Sequence, residues 1–319
     1  MDFLSTILYP LEWLVANVMV IWHQGLSFLG MNPDAGITWA LAIVGLVVTI
    51  RIALIPLFVK QIKASRAMQV IAPELRAVQD KYKGKKDQAS REAMSRETME
   101  LYAKHKTNPF SSCLPLLIQT PIFFALFRVL NYWLEGDRGT IGLLSQELID
   151  SAHNATLFGA QLSETFLSTG SSTSAKILSA VLIVAMVATT FLTQHQLTQK
   201  NMPASALEGP MAQQQKILMY ILPFIFVLSG PNFPVGVLIY WTTTNLWTMG
   251  QQFYVIRNNP TPGSEAERRL KERRAEKAKR KGITAATVDG EGTDVTVVED
   301  ESTTSGQRQQ PKRKNRKKR

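Results

Sequence analysis

Residues 37–59 read ITWALAIVGLVVTIRIALIPLFV, an apolar run broken by a single charge, Arg51. As a helix rising 1.5 Å per residue the run is about 35 Å long, enough to cross the roughly 30 Å hydrocarbon core of a bilayer. Four more apolar segments follow, at about 109–133, 175–193, 217–229 and 234–256. The fourth is short; Pro223 and the SGPNFP connection at 229–234 make it one arm of a tight helical hairpin. The expected fold class is all-α: a polytopic membrane protein with five transmembrane helices around a hydrophilic groove, an N-terminal interfacial helix and a cytoplasmic helical hairpin.

The interfacial helix is read from residues 11–29, LEWLVANVMVIWHQGLSFL. On a helical wheel Glu12, Asn17, His23, Gln24 and Ser27 share one arc, and Leu14, Val15, Val18, Ile21, Trp22, Leu26 and Leu29 take the other. That pattern predicts a helix lying in the membrane surface with its polar arc in water. Residues 1–36 form an external N-terminal segment on this reading. The first ten residues carry no positively charged stretch and do not read as a secretory signal.

Charge is distributed in blocks. The 319 residues carry 36 Lys and Arg against 25 Asp and Glu, a net charge of +11, yet mean hydropathy is close to zero. One basic residue lies in 1–59, twelve in 60–108, two in 109–175, three in 176–255 and eighteen in 256–319. The loop at 134–175 instead sets Arg138 against Glu135, Asp137, Glu147, Asp150 and Glu164. The positive-inside rule places 60–108, 195–215 and the tail in the cytoplasm and 134–175 outside, so the N-terminus is external and the C-terminus cytoplasmic in a multi-pass membrane protein.

Residues 60–82 and 87–105 have helical composition around the turn Lys83-Gly84-Lys85-Lys86, with Pro73 kinking or restarting the first arm. The core therefore runs over 37–258. The tail, 259–319, has too few apolar residues to bury a core and is expected to be disordered, with transient helix at 264–281. Seven of its last eight residues are basic, a composition that suits ribosomal RNA or anionic lipid.

Composition also excludes several chemistries. A single cysteine, Cys113, and four scattered histidines, His23, His105, His153 and His195, offer neither a disulfide framework nor a metal site. No phosphate-binding G-x-x-x-x-G-K-[ST] motif occurs, so neither catalysis, a cofactor nor nucleotide hydrolysis is expected.

Arg51 is the most informative residue. It lies about 21 Å from the outer end of its span and about 13 Å short of Lys60, beyond easy snorkelling. Exposing it to lipid would cost on the order of 3 kcal/mol or more. No Asp or Glu occurs in any of the five spans to pair with it. It therefore calls for a hydrated cavity, for which the neutral polar walls are Gln119 and Thr120, then Thr189, Thr190 and Gln194, then Tyr240, Trp241, Thr244 and Asn245. Arg128, near the outer end of its span, is expected to snorkel. Two machines fit such a cavity, a channel or secondary transporter for a small solute and an insertase for the polar part of a nascent protein. Proton-coupled transport ordinarily needs a carboxylate inside a span, which weakens the first.

The run NPFSSCLPLLIQTPIFFALF at 108–127 resembles the signature of YidC-type membrane protein insertases, a family with mitochondrial and chloroplast relatives. TIRIALIPL at 49–57, TTFLTQ at 189–194 and NFPVGVLIYWTTTNLWTMGQQ at 232–252 agree with it, so the resemblance covers about residues 10–257 in order. The chain is similar to the five-span form of Gram-positive bacteria, and the long basic tail without a lipid-bearing cysteine points to an actinobacterial type. The resemblance implies that Arg51 is the groove arginine and that Trp241, after Tyr240, is the aromatic that contacts clients in the last span. It also implies that Gln194 is a groove glutamine, with Thr193 where many relatives carry a second one, and that the hairpin at 61–107 is the mobile loop of client capture. The implied partners are nascent membrane proteins and the Sec translocon, with the ribosome or anionic lipid at the tail, and the implied location is a bacterial plasma membrane.

Overall fold

The computed structural model describes residues 3–85, 87–107, 114–133, 139–201, 217, 221 and 224–280. It is mostly helical. Helix α1 spans Phe3–Phe28, α2 Gly36–Ala53, α3 Ile55–Val70, α4 Ala72–Lys81, α5 Gln88–Lys104 and α6 Leu114–Arg128. After them come α7 Gln146–Asn154, a two-stranded antiparallel hairpin of β1 Thr156–Leu157 and β2 Ala160–Gln161, and α8 Thr173–His195. Residues 224–229 are helical, α9 spans Val235–Asn258 and α10 Glu265–Arg280. Single π-helical turns extend α6 through Val129–Trp133 and α8 through Gln196–Lys200.

The helices fall on the expected apolar segments, and among the described residues α2 and the α8 rod Thr173–Lys200 are long and apolar enough to cross a membrane. The first segment is broken at Leu54 because Pro56 has no N–H to continue the ladder of α2. Only 217, 221 and 224–229 of the fourth segment, and none of 108–113 or 281–319, lie among the described residues. The core joins α1, α2, α6 and α9 through Met19, Trp39, Ile43, Leu46, Leu126 and Val237, all essentially inaccessible.

Helix α1 corrects the first expectation. Part of its polar arc faces protein rather than water: Glu12, Asn17 and His23 are buried, whereas Gln24 of the same arc is exposed and Ser27 half-buried, and Trp13, Leu14, Ile21 and Trp22 of the other faces are exposed. Each of these three buried side chains has a partner, although His23 Nδ1 is buried without a hydrogen bond. Glu12 forms an ion pair with Arg128 at the end of α6. Asn17 accepts a hydrogen bond from the Leu143 backbone N–H at 2.8 Å and donates to the Trp13 carbonyl at 2.7 Å. His23 stacks on Trp39 with ring centroids 3.9 Å apart, its Nε2 2.8 Å from the Pro33 carbonyl. Trp22 lies against Gly45, where an added Cβ would come within 2.4 Å of the indole, and donates to Thr49 Oγ1 at 2.9 Å. Arg128 is thus corrected too: it is paired and only 14% exposed, where snorkelling was expected.

Residues 139–172 make an ordered cap over the first turn of α2 and the start of α9. The β-hairpin backbone sits on Gly36, where a Cβ would meet the Thr156 carbonyl carbon at 2.3 Å. Val235 and Gly236 N–H donate to the Glu164 and Leu162 carbonyls at 2.9 and 2.8 Å, tying the cap to α9. Burial opposes the charge of Glu164, yet hydrogen bonds from the Ser172 and Gln161 backbone and the Ser172 hydroxyl hold its carboxyl below the ordinary range.

At the other end of α2, α4 and α5 pack as the expected hairpin over Ile71, Leu75, Leu101 and Tyr102, with Pro73 in the first turn of α4. Asp87 caps α5 by accepting from Ser90 N–H at 2.8 Å. The expected disorder of the tail does not extend to 259–280. Helix α10 forms close to the expected 264–281 and is tied to the rest by Thr261 N–H donating to Asn201 Oδ1 at 2.9 Å and Arg273 donating to the Arg257 carbonyl at 2.8 Å.

Two outcomes follow. Glu12→Gln removes the buried carboxylate paired with Arg128 and should cost up to about 3–5 kcal/mol, much of it recovered in Glu12→Gln/Arg128→Met. Denaturation midpoints in detergent check this, and equal losses in the single and double variants would refute it. In the hairpin, bonds from Lys81 and then Tyr82 hold the Glu97 carboxyl below the ordinary range. A depressed carboxyl stabilises fully above its unfolded value, near pH 4.3, and loses that contribution as pH falls through the folded value. Amide protection of 72–104, corrected for intrinsic exchange, should therefore fall with acidification, and less steeply in Glu97→Gln.

Candidate functional site

The break after α2 puts Arg51 in that helix's last turn, buried at 7% exposure. Its guanidinium carbon lies 5.5 Å from the centre of the Phe58 ring, a cation–π contact two turns along the chain. On the other side Arg51 is electrostatically coupled to Tyr240 of α9. The Tyr240 hydroxyl accepts a hydrogen bond from Gln119 Nε2 of α6 at 2.8 Å. Among the described residues no carboxylate is coupled to Arg51.

A second polar contact lies one turn further along α9. Asn245 Nδ2 donates to Thr190 Oγ1 of α8 at 3.0 Å. Thr244, buried beside it, follows Tyr240 by four residues on the same face. The structure therefore brings Arg51, Gln119, Tyr240 and Thr244 together around one point and joins Thr190 to Asn245 next to it. Among the described residues the neighbours named here are neutral, and Gln119, Tyr240 and Thr244 can reorient their hydrogen bonds. That arrangement can solvate an anionic or polar group without binding it as a fixed ion pair.

Two candidates stand apart. Gln194 lies one turn past Thr190, half-buried, and hydrogen-bonds to none of the other candidates. Trp241 points into an aromatic nest, with ring centroids 4.9 Å from Phe123, 5.0 Å from Phe226 and 5.2 Å from Phe233. It occupies an apolar wall adjacent to the polar cluster. Phe58 escaped the sequence reading, although its place seven residues after Arg51 puts it on the same helical face. No group of three or more potential metal ligands occurs among the described residues.

Residues 30–262 match the model of the family described as 60Kd inner membrane protein. The chain belongs to that family. Its relatives include membrane protein insertase YidC of Streptomyces avermitilis, 46% identical over 84% of this chain, which spans 62% of that relative's length. YidC of Tropheryma whipplei strain Twist is 39% identical over 88% of this chain and 94% of its own length. YidC of Bifidobacterium longum is 36% identical over 99% and 96% respectively. The solved structure titled "Active YidC insertase crystal structure with the first transmembrane domain resolved" aligns with a TM-score of 0.46 at 23% identity, covering 80% of this chain and 47% of that one. The family is one of membrane proteins, and α2 and α8 supply matching apolar helices.

If the Gln119–Tyr240 bond holds α6 against α9, Tyr240→Phe should destabilise the protein by about 1–2 kcal/mol, because the Gln119 amide is left unpaired inside protein. Gln119→Leu in the Tyr240→Phe background should add little. A double-mutant cycle on denaturation midpoints measures the coupling, and strict additivity would show that the bond does not hold the helices.

Proposed function

We infer that this chain is a membrane protein insertase, which moves the polar flank and then the apolar helix of a nascent membrane protein into the bilayer through a hydrophilic groove around Arg51. The observation that carries the reading is a buried cation surrounded by neutral hydrogen-bonding groups and an aromatic ring. The family supplies the activity; the geometry supplies its mechanism.

Moving charged or backbone polar groups across about 30 Å of hydrocarbon strips them of water, which is the barrier an insertase lowers. In the proposed topology five spans cross the membrane, with the segment 1–36 and the cap outside and the hairpin and tail in the cytoplasm. The cap then closes the outer end, and the groove opens to cytoplasm and lipid, shortening the dry distance. Arg51 attracts acidic residues in the client's leading segment, Gln119, Tyr240, Thr244, Thr190 and Asn245 substitute for water, and Trp241 with Gln194 lines the client's path. A membrane potential positive outside favours outward passage of each negative charge by about 2.3 kcal/mol per 100 mV. No step requires bond cleavage or nucleotide.

The same proposal includes cooperation with a Sec translocon for some clients and contact of the basic tail with ribosomal RNA or anionic lipid. Eight basic against four acidic residues in α10 support the second.

The test is insertion of a single-span client with an acidic N-terminal tail into liposomes holding wild type, Arg51→Ala or no protein, read as protease protection of the tail. Wild type should protect, and Arg51→Ala should do so several-fold less, on the order of the 1–2 kcal/mol of one desolvated charge contact. Equal protection by both proteins would remove Arg51 from the mechanism; protection no better than empty vesicles would refute autonomous insertion and reopen the transporter reading.

A further inference from the structure

Beyond Arg51, at the end of the molecule opposite the cap, α3 and α9 diverge around a cavity of about 660 Å³. Phe58, Val59 and Ile62 line it from α3, and Leu246, Trp247 and Tyr254 from α9. On each helix these positions recur at three- and four-residue spacing, so two continuous apolar faces meet across the slot. Gly250 forms its floor. A Cβ added there would meet nothing within 4 Å, so the slot has open space at this position that a larger side chain could occupy. Trp247 Nε1 donates to Gln251 Oε1 at 3.1 Å, so the indole N–H of this wall is turned onto its own helix rather than offered to a polar ligand.

We propose that this slot binds one acyl chain of a membrane phospholipid. Its size and depth both argue for that occupant. A helix with side chains is 10–12 Å across and rises 5.4 Å per turn, so one turn fills roughly 400–600 Å³. The slot therefore admits about a single turn of a client helix but the whole length of a slender hydrocarbon chain. Counting from Gly36, Ile55 lies about 28 Å along the helical path, which puts the slot at the membrane boundary where a phospholipid's chains begin. Lys60, exposed and next in sequence to Val59, stands at that boundary within reach of a headgroup phosphate.

The slot is coupled to the polar cluster through Phe58, whose ring forms part of its wall and also carries Arg51. A bound chain holds Phe58 from one side as the guanidinium holds it from the other. The lipid site is independent of the insertase reading, since its test reads lipid alone.

The experiment uses the full chain reconstituted in vesicles of phosphatidylglycerol or phosphatidylcholine that contain a trace of the same lipid with a diazirine acyl chain. Crosslinks are mapped by mass spectrometry for wild type, Gly250→Ala and Gly250→Leu, and phospholipid retained through detergent delipidation is counted by native mass spectrometry. Val181 and Val184, exposed on α8, serve as the general lipid-facing reference. Gly250→Leu, which displaces two or more methylenes of the chain, should lower crosslinking at Phe58 and Trp247 roughly tenfold relative to that reference, with loss of one retained phospholipid. Gly250→Ala should have a small effect. Stronger labelling in phosphatidylglycerol would add headgroup recognition at Lys60, and equal labelling in both lipids would confine recognition to the chain; either supports the site. Labelling that stays at the reference level in wild type, or is unchanged in a folded Gly250→Leu protein, overturns it. So does a client helix crosslinking to Trp247 where lipid does not.

Discussion

A charge removed from water must be neutralised or resolvated, and the arrangement of this chain follows from how two arginines meet that demand. Arg128 is neutralised by Glu12, which draws α1 onto α6 and turns part of the polar arc of α1 inward. Arg51 stacks on the Phe58 ring within electrostatic reach of Tyr240, which is bonded to Gln119. The first solution makes a fixed joint, because a carboxylate and a guanidinium in low dielectric hold each other firmly once both are desolvated. The second leaves a cation whose partners are neutral and exchangeable.

The two ends of the bundle are built differently, and this asymmetry positions the polar cluster. At one end the cap joins α2 and α9 through backbone hydrogen bonds and a glycine too close to accept a side chain. At the other, α3 leaves α2 after a proline break, α4 and α5 form a hairpin with only a small core, and α10 folds back beside α9. A rigid closure faces a region joined by few long-range contacts. Local opening has a lower free energy where apolar burial is sparse, which on the proposed reading favours the hairpin end as the place where a client enters.

Much of the helical framework was legible because apolar runs and helix breakers are local signals. The segments at 37–59, 175–193 and 234–256 became α2 with α3, α8 and α9, and the Pro73 restart and the turn over 82–84 fell where composition placed them. Arg51 stood out for the same reason, a single charge in an apolar run. What escaped was pairing between distant positions. Glu12 and Arg128 are 116 residues apart, and a wheel drawn for α1 alone shows an amphipathic helix without showing which face meets water. The two-residue strands of the cap are too short for alternation to register. Trp241 read as part of the polar wall because it can hydrogen-bond without net charge, yet it points about 100° from Tyr240 on the helix and its ring entered the aromatic nest.

The sequence by itself determined the apolar helices, the charge blocks between them, the family to which the chain belongs and the need of Arg51 for polar company. These depend on local composition and on motifs contiguous in the chain. Only the tertiary structure decided that Glu12 neutralises Arg128, that α1 faces inward with part of its polar side, that Arg51 stacks on Phe58 within reach of the Tyr240–Gln119 pair, and that a slot lies open at Gly250 beside Phe58. Apart from the Phe58 contact, seven residues from Arg51, each joins segments far apart in sequence, and the energy of all of them depends on burial, which is a property of the packed molecule and of no single segment.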